Sequence, residues 1–165
     1  MSTETTDSKT WDVLATVEKW HNAADREAGL PPDEVVEKKD NLLLNAGIEA
    51  LLQLLTATGG TAFSTGNAYI GVGDSTTAAA ASQTGLQASS NKDYRGMESG
   101  YPSVAGQTVT FRSIWGSGNG NFSWNEWTVA NGSSDSATNL NRKVAALGTK
   151  ASGSEWTLTV AITVS

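Results

Sequence analysis

Trp156-Thr-Leu-Thr-Val-Ala-Ile-Thr-Val-Ser165 decides the fold class. Trp156, Leu158, Val160, Ile162 and Val164 fall on one face of an extended chain, with Thr157, Thr159, Ala161 and Thr163 on the other. Such alternation predicts a half-buried antiparallel strand, because successive strand side chains point to opposite faces. Upstream, Val109, Phe111, Ser113 and Trp115 share one face of a second strand, with Thr108, Thr110 and Arg112 opposite. The glycine-rich run Gly116 to Gly120 predicts a turn, so this strand and Asn121 to Val129 are expected to pair as a hairpin. Tyr69-Ile-Gly-Val-Gly73 reads as a short strand ending in glycine. Residues 74–93, almost without large side chains, read as a surface loop or a loosely packed segment. Leu140 to Leu147 is a weaker strand candidate. Strands at this spacing, joined by Gly-rich turns, predict a mainly β chain folded as an antiparallel β-sandwich or jelly-roll-like domain.

Ahead of Gly60 the periodicity changes. Leu44, Ile48, Leu51, Leu52 and Leu55 make a helical stripe, with Asn41 or Asn45 as cap and Gly59-Gly60 as stop. One amphipathic helix over 45–56, packed on the β domain through that stripe, is expected. Further upstream, Trp11, Leu14, Val17 and His21 fit helical spacing from Thr10 to Ala28, with Gly29 and Pro31-Pro32 ending the run. Val35-Val36 fits either a strand or an extended arm. Residues 1–40 therefore read as an acidic N-terminal arm, helical or extended, and residues 41–165 as the β-sandwich domain that includes the helix.

Charge supports the division. The chain has 165 residues and a net charge of −6. Residues 1–58 hold eleven acids and five bases, whereas residues 59–165 hold six of each. This balance, without a Lys/Arg cluster, argues against nucleic acid as a partner. The longest apolar stretch, Leu42 to Leu55, is broken by Asn45, Glu49 and Gln53, so no membrane span is expected. The opening MSTETTDSK lacks the basic start and apolar centre of a signal peptide, which predicts synthesis in a cytoplasm. With no cysteine and a single histidine, His21, there is no thiolate chemistry and no Cys-based metal site.

The remaining candidates for chemistry are few. Gly71-Val-Gly73 after a strand lacks the third glycine of a dinucleotide loop, and Asp74 would repel a pyrophosphate. Ser89-Ser-Asn-Lys92 matches SxxK without its companion motifs. Asp74, Glu98 and Glu126 are carboxylates of the kind a glycosidase pairs, but nothing in their spacing brings two of them together. No catalytic, cofactor or metal residue is assigned, and no cofactor is expected. Trp115 and Trp156 lie in line with apolar neighbours and read as core. Trp124 and Trp127 are three apart on a strand, so one is expected inside and one outside as an exposed aromatic contact.

Four segments, together with Asn41-Leu-Leu-Leu-Asn-Ala-Gly47, carry a family likeness. They are Asn67 to Thr76, Phe122-Ser-Trp-Asn-Glu-Trp-Thr-Val-Ala-Asn131, Leu140 to Lys150 and Trp156 to Ser165. As a set, covering residues 41–165, they resemble small virion proteins of tailed bacteriophages and are similar to phage tail-collar fibre domains. The resemblance implies a non-enzymatic structural role in the virion. It points to a capsid decoration (cement) protein on the outside of the shell, with a tail-fibre, collar or receptor-binding component as the alternative. The absence of a coiled-coil or repeat shaft, in a chain expected to be complete, favours decoration. The implied partners are the major capsid protein and neighbouring copies of the chain, as a homo-oligomer, with a trimer matching capsid threefold positions. On this reading the arm docks at subunit junctions through Trp11, Leu14, Val17, Trp20, Val35 and Val36.

Overall fold

In the computed structural model, which describes residues 9–165, the closing strand β10 (Glu155–Val164) sits at the centre of a sheet. Its neighbours are β1 (Trp11–Trp20) and β7 (Thr108–Trp115), both antiparallel to it. The predicted alternation holds. Trp156, Leu158, Val160 and Ile162 are buried and Thr159 and Thr163 half-buried on the opposite face, the departures being Thr157, which is also buried, and Val164, which is exposed at the strand end. β2 (Glu34–Lys39) and β6 (Ser103–Ala105) close the edges, giving the order β2-β1-β10-β7-β6. A second antiparallel sheet runs β3-β9-β8-β4-β5. Its members are β3 (Leu42–Leu43), β4 (Tyr69–Gly73), β5 (Lys92–Gly96), β8 (Ser123–Ala130) and β9 (Asn141–Thr149). The inner faces of the two sheets meet in one core: a mainly β, sandwich-like fold.

The acidic arm is not an arm. Residues 11–20, whose spacing fits a helix within an arm expected to be helical or extended, form β1 in a ten-residue register on β10, from Trp11 opposite Val164 to Trp20 opposite Glu155. Val13, Ala15 and Val17 enter the core. The helical spacing of Trp11, Leu14 and Val17 coexists with a period of two at Trp11, Val13, Ala15 and Val17. The open edge of β10, with its row of buried side chains, selects the latter. Only Ala23–Glu27 is helical, as α1, capped by the Asn22 side chain accepting from the Asp25 N–H at 2.9 Å. Val35 and Val36 belong to β2, paired with β1. Residues 1–8 of the expected arm lie outside the described residues.

Two other expectations change. β7 and β8 do not pair as a hairpin: both edges of β7 are taken, by β10 and β6, so the turn at 116–120 carries the chain into the other sheet. The segment after β4 is a surface loop only in part: residues 74–84 are exposed or half-buried, whereas its own Leu86 and Ala88 are buried.

The helix α2 (Asn45–Thr56) has the predicted span, but it is turned the other way. Neither Asn41 nor Asn45 caps it, for Leu44 occupies the cap position with no side-chain bond, and the helix ends at Ala57 in the left-handed region. Gly47 and Ala50 are its buried residues. A Cβ on Gly47 would overlap the Leu140 carbonyl, so glycine lets the helix backbone lie directly against the start of β9. This contact yields a test of opposite sign to propensity. Gly→Ala inside an exposed helix gains about 1 kcal/mol, whereas Gly47→Ala is expected to lose about 1–3 kcal/mol through overpacking, read as a lower urea midpoint. A gain would place the helix off the sheet.

Candidate functional site

The three carboxylates considered for a hydrolytic pair serve separate tasks. Glu126 on β8 is fully buried, as is Arg142 on β9. Arg142 Nε and a terminal guanidinium nitrogen stand 2.7 and 2.6 Å from Glu126 Oε2. The same carboxylate accepts from the Gln87 N–H at 3.0 Å and the Ala88 N–H at 2.8 Å. Arg142 also donates to Gln83 Oε1 and the Thr77 carbonyl, both at 2.9 Å. Glu126 and Arg142 thus pin the 74–91 segment over the outer face of the second sheet, with no lone pair free for acid–base work. Gly73 makes the room, since a Cβ there would press into Glu126. Asp74 accepts from Asn91 at 2.7 Å. Glu98, in the connection between β5 and β6, reaches the other sheet, 2.8 Å from Arg112 Nε on β7, and lies 3.6 Å from Arg26.

Several other polar groups are likewise paired within the chain, while the indole nitrogens of Trp11, Trp115 and Trp127 and the Asn41 amide are enclosed without a hydrogen-bond partner. Glu155 accepts from Arg26, and this hydrogen bond is the main reason the guanidinium pKa is raised further. Asp135 accepts from both Tyr94 and Lys92. Burial first, then the Asp135 hydrogen bond, pushes the Tyr94 phenol above its ordinary range. Lys150 donates to the Gly116 carbonyl at 2.8 Å and to Asn121 Oδ1 at 3.0 Å, and burial lowers its pKa. His21 is exposed just past β1. Among the described residues, no group of three or more His, Asp or Glu side chains is placed to hold a metal ion, and no helix is long and apolar enough to cross a membrane.

Both members of the Trp124/Trp127 pair are fully buried, so neither is an exposed contact. The register of β8 on β9 is broken between Trp124, opposite Gly148, and Glu126, opposite Val144, and across this irregularity both indoles join the core. Trp124 packs edge-to-face on Trp115 at 4.8 Å and on Trp156 at 4.9 Å, and its Nε1 donates to the Gly120 carbonyl at 2.8 Å. The docking residues expected on the arm fare similarly. Val17 and Trp20 are buried, the latter donating to the Leu30 carbonyl at 3.0 Å. Trp11 and Val36 pack on the rim of the core, and Leu14 is half-buried. Val35 alone of the six is exposed, on the edge strand β2 beside exposed Glu34 and Glu37.

The unsatisfied surface lies elsewhere. Ile48, Leu51, Leu52 and Leu55 form the apolar stripe of α2, at spacings of three, four and seven. They point away from the domain, with Leu52 58% and Leu55 82% exposed. Beside them is a groove of about 390 Å³ between α2 and the β6–β7 hairpin, lined by Leu51, Leu54, Val104, Val109 and Val164 among others. Val104, at its rim, is 76% exposed. The stripe itself was legible in the sequence, but its outward orientation was not. Small Gly47 and Ala50 on the opposite face were the available signal. Comparison with family models, curated proteins and solved structures finds no match to this chain.

Proposed function

We propose that this chain is a non-enzymatic structural protein of a tailed-bacteriophage virion, made in the host cytoplasm and acting as a capsid decoration protein on the outer face of the assembled shell. One observation carries the reading: the aliphatic stripe of α2 faces solvent while the buried ionised groups are occupied by partners in their own chain. A catalytic centre needs free polar groups converging on a pocket. A contiguous apolar face on a rigid polar body is instead what protein assembly uses. The likeness of the segments around Tyr69, Trp124, Val144 and Trp156 to small phage virion proteins supplies the setting.

In this reading the partners are the major capsid protein and neighbouring copies, with neither nucleic acid nor membrane involved. With Val17 and Trp20 in the core, the shell contact shifts to the β2 edge, where Val35 is flanked by Glu34 and Glu37. Acidic groups there meet a basic shell surface and raise the on-rate more than the affinity. The test is a copy count by quantitative mass spectrometry of purified particles. Hundreds of copies per particle are expected. A handful, in multiples of three or six, assigns the protein to the tail instead, and absence from particles removes the virion reading.

A further inference from the structure

We infer that the outward face of α2 and the groove beside it are filled by a second copy of this chain, the helix ridge of one copy lying in the groove of the other. The inference rests on reading this face as an assembly surface, and it names the occupant. Ridge and groove are adjacent and share Leu51, which belongs to the stripe and lines the groove. An occupant of that groove must be aliphatic and uncharged, and the ridge next to it has that chemistry. Residues 41–73 contain one charged side chain, Glu49, and residues 99–111 contain none.

Charge also selects the contact. Two copies at −6 each repel chiefly through residues 1–40, where most of the excess acid lies, and this aliphatic face brings only Glu49 of α2 near the contact. Area is adequate: covering the exposed parts of Ile48, Leu51, Leu52, Leu55, Val104 and Val164 removes on the order of 500 Å² of aliphatic surface per chain. That is the apolar centre of an interface needing about 800 Å² per partner. Because each copy carries both ridge and groove, reciprocal insertion closes the assembly around a symmetry axis and leaves no free apolar face.

Sedimentation of the full chain at micromolar concentration tests this directly. The native protein is expected at the mass of two or more chains. The double variant Leu52→Glu/Leu55→Glu, on the ridge, and Val104→Glu, at the groove rim, are each expected to sediment as single chains. Their melting temperatures should stay within a few degrees of the native domain's once dissociated, since all three side chains are well exposed in one copy. A native protein that is monomeric throughout the range overturns the inference, as does either variant keeping the assembled mass. The outcome is separable from the virion reading. A self-associating chain missing from particles keeps this interface and loses that role, and a monomer abundant on particles does the reverse.

Discussion

Deleting residues 1–40 is expected to abolish folding rather than release a soluble domain. The deletion removes β2 and β1, the latter paired with β10 along ten residues, and takes Val13, Ala15 and Val17 out of the core. It also strips cover from Trp156, Leu158, Val160 and Ile162 on the neighbouring strand. Lost burial of this size is on the order of 10 kcal/mol, comparable with the entire 5–15 kcal/mol by which a domain is stable. The exposed edge of β10 would present a long apolar strand for pairing with other chains, so aggregation should accompany unfolding. Circular dichroism and solubility of the truncated protein check this. A truncated chain that still unfolds cooperatively at a temperature near the native one would show that β1 is dispensable. The same reasoning removes truncation as a clean probe of shell docking; a point change such as Val35→Glu, on an exposed side chain, leaves the core alone.

The second large effect belongs to the buried ion pair. Glu126→Ala leaves Arg142 charged and fully enclosed, and deprives the Gln87 and Ala88 N–H groups of their acceptor. Removing one partner of such a pair costs about 3–5 kcal/mol, because the remaining charge stays desolvated and uncompensated. Arg142→Met should cost a similar amount, since it also frees Gln83 Oε1 and the Thr77 carbonyl. The double variant is expected to lose less than the two singles together, as residues in one network are not additive. Even so it should not return to native stability, because the backbone N–H groups over the second sheet still lack an acceptor. Urea unfolding of the three variants measures this. Limited proteolysis gives a local readout, with cutting within residues 75–91 rising first in Glu126→Ala. A single variant losing under about 1 kcal/mol would mean that water already reaches the pair.

Much of the fold was legible from side-chain period alone. The strands around Tyr69, Phe111 and Leu158 alternate cleanly, and glycine punctuates their ends, so the sandwich class and the span of α2 followed from local chemistry. Residues 11–20 did not resolve locally, because Trp11, Leu14 and Val17 satisfy a helix while Trp11, Val13, Ala15 and Val17 satisfy a strand. A vacant edge on β10, nearly 150 residues away in sequence, decided between them. The facing of Trp124 and Trp127 escapes local parity for a related reason. Parity along a strand predicts facing only where the register is unbroken, and a bulge is set by the partner strand.

The candidate site divides in the same way. Composition by itself established an acidic chain without thiols, with one histidine and with an aliphatic stripe at helical spacing, and so weighed against most enzyme chemistry. What only the tertiary structure decided is which side of that stripe meets water. Gly47 fits against the Leu140 backbone where a larger residue would not, so the helix seats itself by its small face and leaves its leucines outside. Periodicity fixes which residues lie together on a helix. The direction they face depends on how closely the helix can approach its neighbour, which is a property of packing across the whole chain.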